Sequence, residues 1–407
     1  MKYDLGNLIG RGGTNATKWE SYSGGNQSGL IEFIGPDLKG EGLLPMWVAD
    51  MDFQTAQPII DGLIERVRHG IFGYTFASED YFKSITNWFF TRHNWTVEKE
   101  WIVPTPGIVP AIQFAINTFC SPGDNILVQG PVYHPFYRVI EASGCKVVSN
   151  SLVLSDGGYR MNFSDLETQA SDSQLKLAIL CSPHNPVGRV WTVEELKQFG
   201  EICNDNNVLV IADEIHCDLI GPVSTFVPYL KAGFNFSDRA LVCTAPSKTF
   251  NLAGLHLSNV IIPNPDLRDQ YLAYMKKNAV GGGLNPFSLI AAELAYTMGE
   301  DWLEQVLLYI WDNYKYLQRF IKEYLPQLVL SDLQGTYLAW VDFTLLKLSP
   351  EELELLIQKK AKLLFNQGYI FGEEGAGFQR INIACPRKVL ELGLGRLKTA
   401  IDRLNGE

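Results

Sequence analysis

The sequence lacks the features that mark several classes of protein. It has no run of basic residues, and its formal net charge of -11 argues against nucleic acid as a partner. Its seven cysteines are scattered without CxxC spacing, so they predict neither a disulfide framework nor a zinc site, and we expect no metal. No apolar run approaches membrane-spanning length, and the opening MKYDLGNLIG is unlike a signal peptide. We therefore expect a cytoplasmic protein with no membrane partner.

What the chain does contain is enough apolar material for a large core. With 407 residues, 46% of them hydrophobic and 19% charged, it is typical of a globular protein of two domains. We expect an arm over residues 1–45, a large domain over 46–285 and a small C-terminal domain over 286–407. The arm is rich in Gly, Asn and Ser. This composition is equally typical of an extended segment, packed on the small domain or a partner subunit, and of a loosely ordered tail.

Strand-like and helical stretches alternate from residue 121 to residue 262. We predict strands at 125–129, 145–149, 177–181, 208–212, 241–244 and 257–262. Thr192 and Glu195 form a capping-box pattern at the start of a helix over 192–204. The alternation predicts an α/β fold with a mainly parallel sheet between helices, and such sheets bind ligands beyond their strand ends.

The remaining elements lie on either side of this region. Helices are predicted at 58–69 and 80–93, and the stretch 286–319 is strongly helical. Farther on, 334–343 alternates like an antiparallel strand, 349–365 has a helical pattern and 380–384 is strand-like. These elements predict an α+β small domain.

One lysine stands in a setting that suits covalent chemistry. Lys248 lies in TAPSKTFNLAGL (residues 244–255), among small and hydroxylated residues, directly after the apolar stretch ALVCTA. Burial lowers the pKa of such an amine and so favours a Schiff base with an aldehyde. Taken alone, a lysine near a strand end is more often a solvated charge. Two upstream stretches, SPHNPVG (182–188) and IADEIHCD (211–218), each follow an apolar strand and support the chemical interpretation.

In this order, the three stretches resemble the class I/II aminotransferase superfamily, which is fold-type I of the pyridoxal 5′-phosphate (PLP) enzymes. Four motifs resemble its MalY/PatB cystathionine β-lyase, or C–S lyase, branch: WVADMDF (47–53), GPVYHPFY (130–137), and, within or overlapping two of the stretches above, DEIHCDL and APSKTFNLAGL. The similarity runs from about residue 14 to residue 387. It implies a fold-type I PLP-dependent transferase-like architecture, with a mainly parallel seven-stranded sheet between helices in the large domain and a smaller α+β domain.

The resemblance implies that four residues contact the cofactor ring. Lys248 would carry the Schiff base, and Asp213, at a buried strand end, would keep the pyridine nitrogen protonated. Asn185 would donate a hydrogen bond to the ring O3′. Tyr133 would stack on the ring face, although a core aromatic is the plainer alternative. Of these, Lys248, Tyr133 and Asp213 are the candidate catalytic residues.

The cofactor phosphate has a second set of candidates. A turn, Thr105-Pro106-Gly107, precedes a predicted helix whose free N–H groups and dipole favour an anion. By resemblance, the N–H groups are those of Gly107, Ile108 and Val109. Ser247 and Thr244 are further candidates, and Tyr74 matches a residue that reaches the phosphate of the other subunit. The resemblance therefore implies a homodimer with shared active sites.

Three more side chains complete the expected site. His216 stands where aminotransferases place a tyrosine that contacts O3′, and His256 stands where they place a phosphate-binding arginine. The sequence leaves the roles of His256 and His134 open. Arg380 heads the strand RINIA, and its family counterpart binds the substrate α-carboxylate through a bidentate fork. Asn185 and Tyr133 would also contact the substrate.

These assignments imply a C–S β-lyase that converts L-cystathionine or another S-substituted L-cysteine to a thiol, pyruvate and ammonia. Two alternatives remain open at this point. An aminotransferase would use the same residues, and a PLP-fold protein with a regulatory binding role would use the fold without the reaction. The sequence does not specify the side chain of the substrate.

Overall fold

A computed structural model describes residues 3–20, 32–34, 37–39, 42–155, 158–278 and 284–406. The helices are α1 (Thr17–Glu20), α2 (Gln57–His69), α3 (Glu79–His93), α4 (Ile108–Phe119), α5 (Pro135–Ala142), α6 (Phe163–Ala170), α7 (Val193–Asp205), α8 (Pro246–Thr249), α9 (Pro265–Lys277), α10 (Pro286–Met298), α11 (Glu300–Tyr324), α12 (Pro350–Leu355) and α13 (Arg387–Gly406). The strands are β1 (Glu32–Ile34), β2 (Asp37–Lys39), β3 (Leu44–Pro45), β4 (Ile102–Thr105), β5 (Asn125–Val128), β6 (Lys146–Ser149), β7 (Val153–Ser155), β8 (Gly158–Arg160), β9 (Leu175–Cys181), β10 (Leu209–Asp213), β11 (Ala240–Thr244), β12 (Ser258–Ile261), β13 (Val329–Leu330), β14 (Leu338–Asp342), β15 (Leu363–Leu364), β16 (Asn366–Gln367) and β17 (Phe378–Asn382).

A seven-stranded sheet forms the centre of the fold, in the order β4-β12-β11-β10-β9-β5-β6. The strands from β11 to β6 pair in parallel, whereas β12 is antiparallel to both of its neighbours. Every residue of β10 and β11 is buried, because helices cover both faces of the sheet. The predicted α/β class and mainly parallel sheet are confirmed. The six predicted strands correspond to β5, β6, β9, β10, β11 and β12, and β4 was not predicted.

The register of this sheet brings distant motifs to one edge. Asp213, the last residue of β10, pairs with Cys181 of β9 on one side and Cys243 of β11 on the other. The chain segments that follow these strands carry Asn185 and Lys248. Parallel strands all end at the same edge, so the three motifs meet there.

Helix starts in the large sheet region follow local sequence rules. Thr192 and Glu195 form the predicted capping box at α7. Helix α4 begins directly after Gly107, whose φ of 144° is a conformation that only glycine adopts readily. That glycine therefore sets the direction in which the free N–H groups of α4 point.

The C-terminal part contains the antiparallel sheet β13-β14-β17-β16; α11 contacts its strand β13, and α13 packs on α11. The strands predicted at 334–343 and 380–384 are present as β14 and β17. The helical stretch 286–319 is two helices, α10 and α11, which meet at Gly299. A Cβ at Gly299 would lie 2.4 Å from the Ala295 carbonyl oxygen, so this close turn requires glycine.

The single helix predicted over 349–365 is wrong. Helix α12 ends at Leu355, a π-helical turn covers Leu356–Lys360, and Leu363 and Leu364 form β15. Strand β15 pairs in parallel with β3, so Leu363 lies opposite Leu44. Backbone pairing with a segment distant in sequence therefore overrides the local helical pattern.

Within residues 3–20, the arm has side chains that are buried against the rest of the protein. Trp19 is buried, and Lys18 is fully buried. The portions of the expected arm at residues 1–2, 21–31, 35–36 and 40–41 lie outside the described residues. The burial of these side chains favours a packed segment over residues 3–20. Searched over the described ranges, the helices include none that is both long and apolar enough to cross a bilayer.

Candidate active site

A cavity of about 390 Å³ opens at the carboxyl ends of the central strands. Most of the residues expected to form the site line it: Gly107, Ile108, Val109, Tyr133, Asn185, Asp213, His216, Ser247 and Lys248. They come from separate parts of the sequence, and the sheet register described above brings them together.

Lys248 lies in the single turn α8, which follows β11. Its Nζ donates a hydrogen bond to the carbonyl oxygen of Ala49 at 2.7 Å. Burial, together with the positive charge of Arg380, lowers the pKa of the amine to about 8. The amine therefore exists partly in its neutral, nucleophilic form near neutral pH.

Asp213 is a buried carboxyl group that faces the cavity. The backbone N–H of Ile215 donates to its Oδ1 at 3.2 Å. Burial raises its pKa to about 7, against the opposing effects of that hydrogen bond and of Lys248. Within the described residues it has no ion-pair partner, so a cationic ligand in the cavity would stabilise its ionised form.

Arg380 lies on β17; it does not itself line the cavity, but it is hydrogen-bonded to Asn185, which does. Its Nη1 donates to Asn185 Oδ1 at 2.8 Å, and its Nη2 donates to Asn366 Oδ1 at 2.6 Å. The guanidinium lies 4.7 Å from the centre of the Phe371 ring. Its Nε has no hydrogen-bond acceptor among the described residues. Burial lowers its pKa to about 10, so the group is still charged at neutral pH.

The first residues of α4 form the opposite end of the cavity. The first turn of this helix contains no acidic side chain, and Pro110 has no N–H to contribute. Ser247 and His256 also line this cavity. Free N–H groups, a helix dipole and a hydroxyl together form a site suited to a phosphate.

Besides Arg380, two expected residues do not line the cavity. Thr244 is buried, and its hydroxyl donates to the Asn259 carbonyl oxygen at 3.4 Å. Tyr74 is fully exposed, in a loop after α2.

Two histidines lie near the cavity in different settings. His216 lines the cavity, and its ring is edge-on to the Tyr337 ring, with the two ring centres 6.0 Å apart. Burial lowers the pKa of His216 well below the usual value. His134 lies between Tyr133 and Phe371, with ring centres 5.5 Å and 5.8 Å away.

Sequence reasoning missed several residues of the site. Ala49, Cys181, Ile215, Ala253 and Leu257 line the cavity, and Tyr337 hydrogen-bonds to Ala49. Ala49 lies within the WVADMDF motif and Tyr337 within the predicted strand 334–343. The motif marked the segment, but nothing in it indicates which backbone carbonyl faces the lysine.

A cluster of His93 with the buried Cys217 and Asp218 contacts the lysine turn through Asp218. The Asp218 carboxylate accepts hydrogen bonds from Trp88 Nε1 at 3.1 Å and from Thr249 Oγ1 at 2.8 Å. The second of these bonds anchors Thr249, the residue next to Lys248.

Comparison with known proteins shows the family of this chain. The family model for aminotransferase class I and II matches residues 57–397. The chain belongs to this family. It is 40% identical to cystathionine beta-lyase PatB of Bacillus subtilis over 389 residues, 96% of this chain and 97% of that one. It is 32% identical to protein MalY of Escherichia coli over 400 residues, 98% and 99% of the two chains.

Among solved structures, the chain is similar to cystalysin from Treponema denticola, which contains a pyridoxal 5′-phosphate cofactor. The TM-score is 0.94 at 34% identity, with 99% of this chain and 100% of that one covered. Similarity at this level extends over the whole fold, including the sheet edge where the cavity lies.

Proposed function

We propose that this protein is a PLP-dependent enzyme that cleaves the carbon–sulfur bond of L-cystathionine and other S-substituted L-cysteines. With one water consumed, the products are a thiol, pyruvate and ammonia. The observation that carries the proposal is the meeting of Lys248, Asp213 and Asn185 in one cavity, with the buried Arg380 bonded to Asn185. The similarity to PatB and MalY supports the same reaction class.

The residues of the cavity fit the proposed cofactor at each end. Lys248 offers an amine of lowered pKa for the aldehyde. Asp213 offers a buried carboxylate, without an ion-pair partner in the described chain, for a protonated ring nitrogen. The start of α4 after Gly107 and the Ser247 hydroxyl offer donors to the phosphate.

The side chains divide the reaction between them. Bound PLP withdraws electrons from the substrate Cα and makes its proton acidic. Arg380 binds the α-carboxylate, which supplies the acceptor that its Nε lacks. Lys248, once freed by the substrate, takes the α-proton as a general base. Asp213 would hold a proton on the ring nitrogen, and Tyr133 forms part of the cavity wall.

An aminotransferase reaction is the second candidate, favoured by the description of the family whose model matches the chain. It would use the same lysine, carboxylate and arginine, and would differ in where the abstracted proton is returned. The products therefore have to separate the two.

The experiment supplies purified enzyme with L-cystathionine, with and without a keto acid, and measures pyruvate, free thiol and amino-group transfer separately. We expect pyruvate and thiol in equal amounts without the keto acid, and no product from Lys248→Ala. Amino-group transfer that requires the keto acid, without thiol release, would make the protein an aminotransferase.

We also infer a homodimer with shared active sites. Large apolar side chains are exposed in and after α2, including Val67, Ile71, Phe72, Tyr74 and Phe76. An exposed apolar run of this kind is typical of a protein interface. Tyr74 has the hydroxyl that would serve the partner's phosphate. We further infer a cytoplasmic location, which the seven free cysteines support.

A further inference from the structure

The carbonyl oxygen of Ala49 accepts two hydrogen bonds at the wall of the cavity. One comes from Lys248 Nζ at 2.7 Å and the other from the Tyr337 hydroxyl at 2.8 Å. Tyr337 is 1% exposed, and it precedes β14 directly. The catalytic amine and a buried phenol therefore share one acceptor.

The position of this oxygen is set by the backbone on both sides of it. Asn382 Nδ2 donates to the carbonyl oxygens of Val48 and Asp50, each at 2.6 Å. Arg380 Nη2 donates to the carbonyl oxygen of Trp47 at 3.1 Å. Since the neighbouring carbonyls are held by β17, the Ala49 oxygen stays fixed when Lys248 changes its bonding.

We propose that the Ala49 carbonyl oxygen holds the free amine of Lys248 during turnover, and that Tyr337 is a positioning residue that tunes this amine by sharing the oxygen. The inference rests on the proposed function, in which the freed amine takes the α-proton. An oxygen that already accepts from a phenol is a weaker acceptor for a second donor. An ammonium gains more from an acceptor than a neutral amine does, so Tyr337 favours the neutral, basic form.

Other groups around the amine also affect its protonation, and all remain when the Tyr337 hydroxyl is removed. Arg380 of β17 lowers the pKa of Lys248, whereas Asp50 and Asp213 of β10 raise it. The other titratable groups that line the cavity are Tyr133, Cys181, His216 and His256. A change seen in Tyr337→Phe therefore belongs to the hydroxyl.

The first measurement is the pH dependence of kcat for the holoenzyme with an S-substituted L-cysteine. In Tyr337→Phe we expect the rising limb to move to higher pH by about half a unit or more. On that limb kcat falls about threefold, and it recovers at higher pH. The isotope effect with α-deuterated substrate should increase on the same limb, because proton abstraction becomes slower.

The second measurement does not depend on turnover. An α-methyl amino acid displaces Lys248 from the cofactor but has no α-proton to lose, so its binding is followed by absorbance. The pH dependence of its dissociation constant reports the freed amine and should shift by the same amount. The matched control is Tyr271→Phe. The Tyr271 side chain is 0% exposed, and its hydroxyl donates to the Ala111 carbonyl oxygen at 3.1 Å.

A 3-fluorotyrosine at position 337 tests the sign. This residue keeps the ring and its packing, and its hydroxyl is a stronger donor to the Ala49 oxygen. The pH dependences of kcat and of the α-methyl amino acid's dissociation constant should therefore both move to lower pH. A loss of kcat at every pH without a shift, or equal shifts in the Tyr271→Phe control, would overturn the inference. If the wild type neither releases thiol nor binds the α-methyl amino acid, the proposed function itself fails, and this result is distinct from an active wild type with unshifted variants.

Discussion

Removal of the Arg380 guanidinium tests how the substrate is held. The group is 3% exposed and has no ion-pair partner among the described residues, so amide and carbonyl oxygens and the face of the Phe371 ring compensate its charge. A substrate carboxylate is the counter-ion that this arrangement lacks. Arg380→Ala should therefore weaken both substrate binding and the transition state.

The magnitude follows from the bonds that would be lost. A hydrogen bond to a charged group contributes about 1.5–3 kcal/mol, and a bidentate contact has two of them. Part of this gain is offset, because the Nη groups already bond to Asn185 and Asn366 and must share their donors. We expect a net loss of about 3 kcal/mol, or roughly a hundredfold in kcat/KM. Arg380→Lys keeps the charge but not the fork and should lose nearly as much.

The assay is steady-state thiol release from an S-substituted cysteine, with the resting absorbance of the cofactor recorded for each variant. The matched control is Arg387→Ala, whose guanidinium bonds to Asn313 and Asp312 and lies 4.6 Å from the Tyr316 ring centre. That control should keep kcat/KM within about twofold of the wild type. A loss below about threefold in Arg380→Ala would refute a carboxylate contact at this residue.

Three further outcomes are expected. Borohydride reduction and peptide mapping should place the pyridoxyl group on Lys248, and a label on another lysine would contradict the cofactor assignment. In the cofactor-free protein, Asp213 has a pKa raised from 3.8 to about 7, so its contribution lowers stability as pH rises through that window. Asp213→Asn should accordingly raise Tm relative to the wild type at pH 8 but not at pH 4, and an equal difference at both would contradict the shift. Tyr74→Ala and Lys248→Ala, each impaired alone, should regain roughly a quarter of the active sites after subunit exchange, because a mixed dimer has one intact site. No recovery after proven exchange would place Tyr74 in its own subunit's chemistry.

Sequence patterns were sufficient where a whole segment shares one environment. Strands β10 and β11 are buried on both faces, so their continuous apolar runs predicted them directly. The cavity residues at the ends of these strands followed from the same argument, since parallel strands end at one edge. The capping box at Thr192 depended only on local geometry.

Patterns were insufficient where a distant segment decides the local structure. Residues 363–364 have a helical pattern, but β3 pairs with them and makes them a strand. Ala49 contributes a backbone oxygen, which every residue type has, so no side chain marks it. Thr244 was expected at the phosphate from its place near Lys248, yet it lies within β11 and its hydroxyl bonds to β12.

The segment 47–52 shows how the site depends on residues far from the cavity. Its backbone carbonyls accept hydrogen bonds from Lys248, Tyr337 and Arg380. Its Asp52 carboxylate accepts from Lys18 at 2.6 Å and from Arg11 at 2.9 Å, and Lys18 is fully buried. A buried ion pair is sensitive to the loss of either partner, because the remaining charge has no water around it. Arg11 and Lys18 therefore support the wall against which Lys248 and Arg380 are both positioned, although neither of these two N-terminal residues lines the cavity.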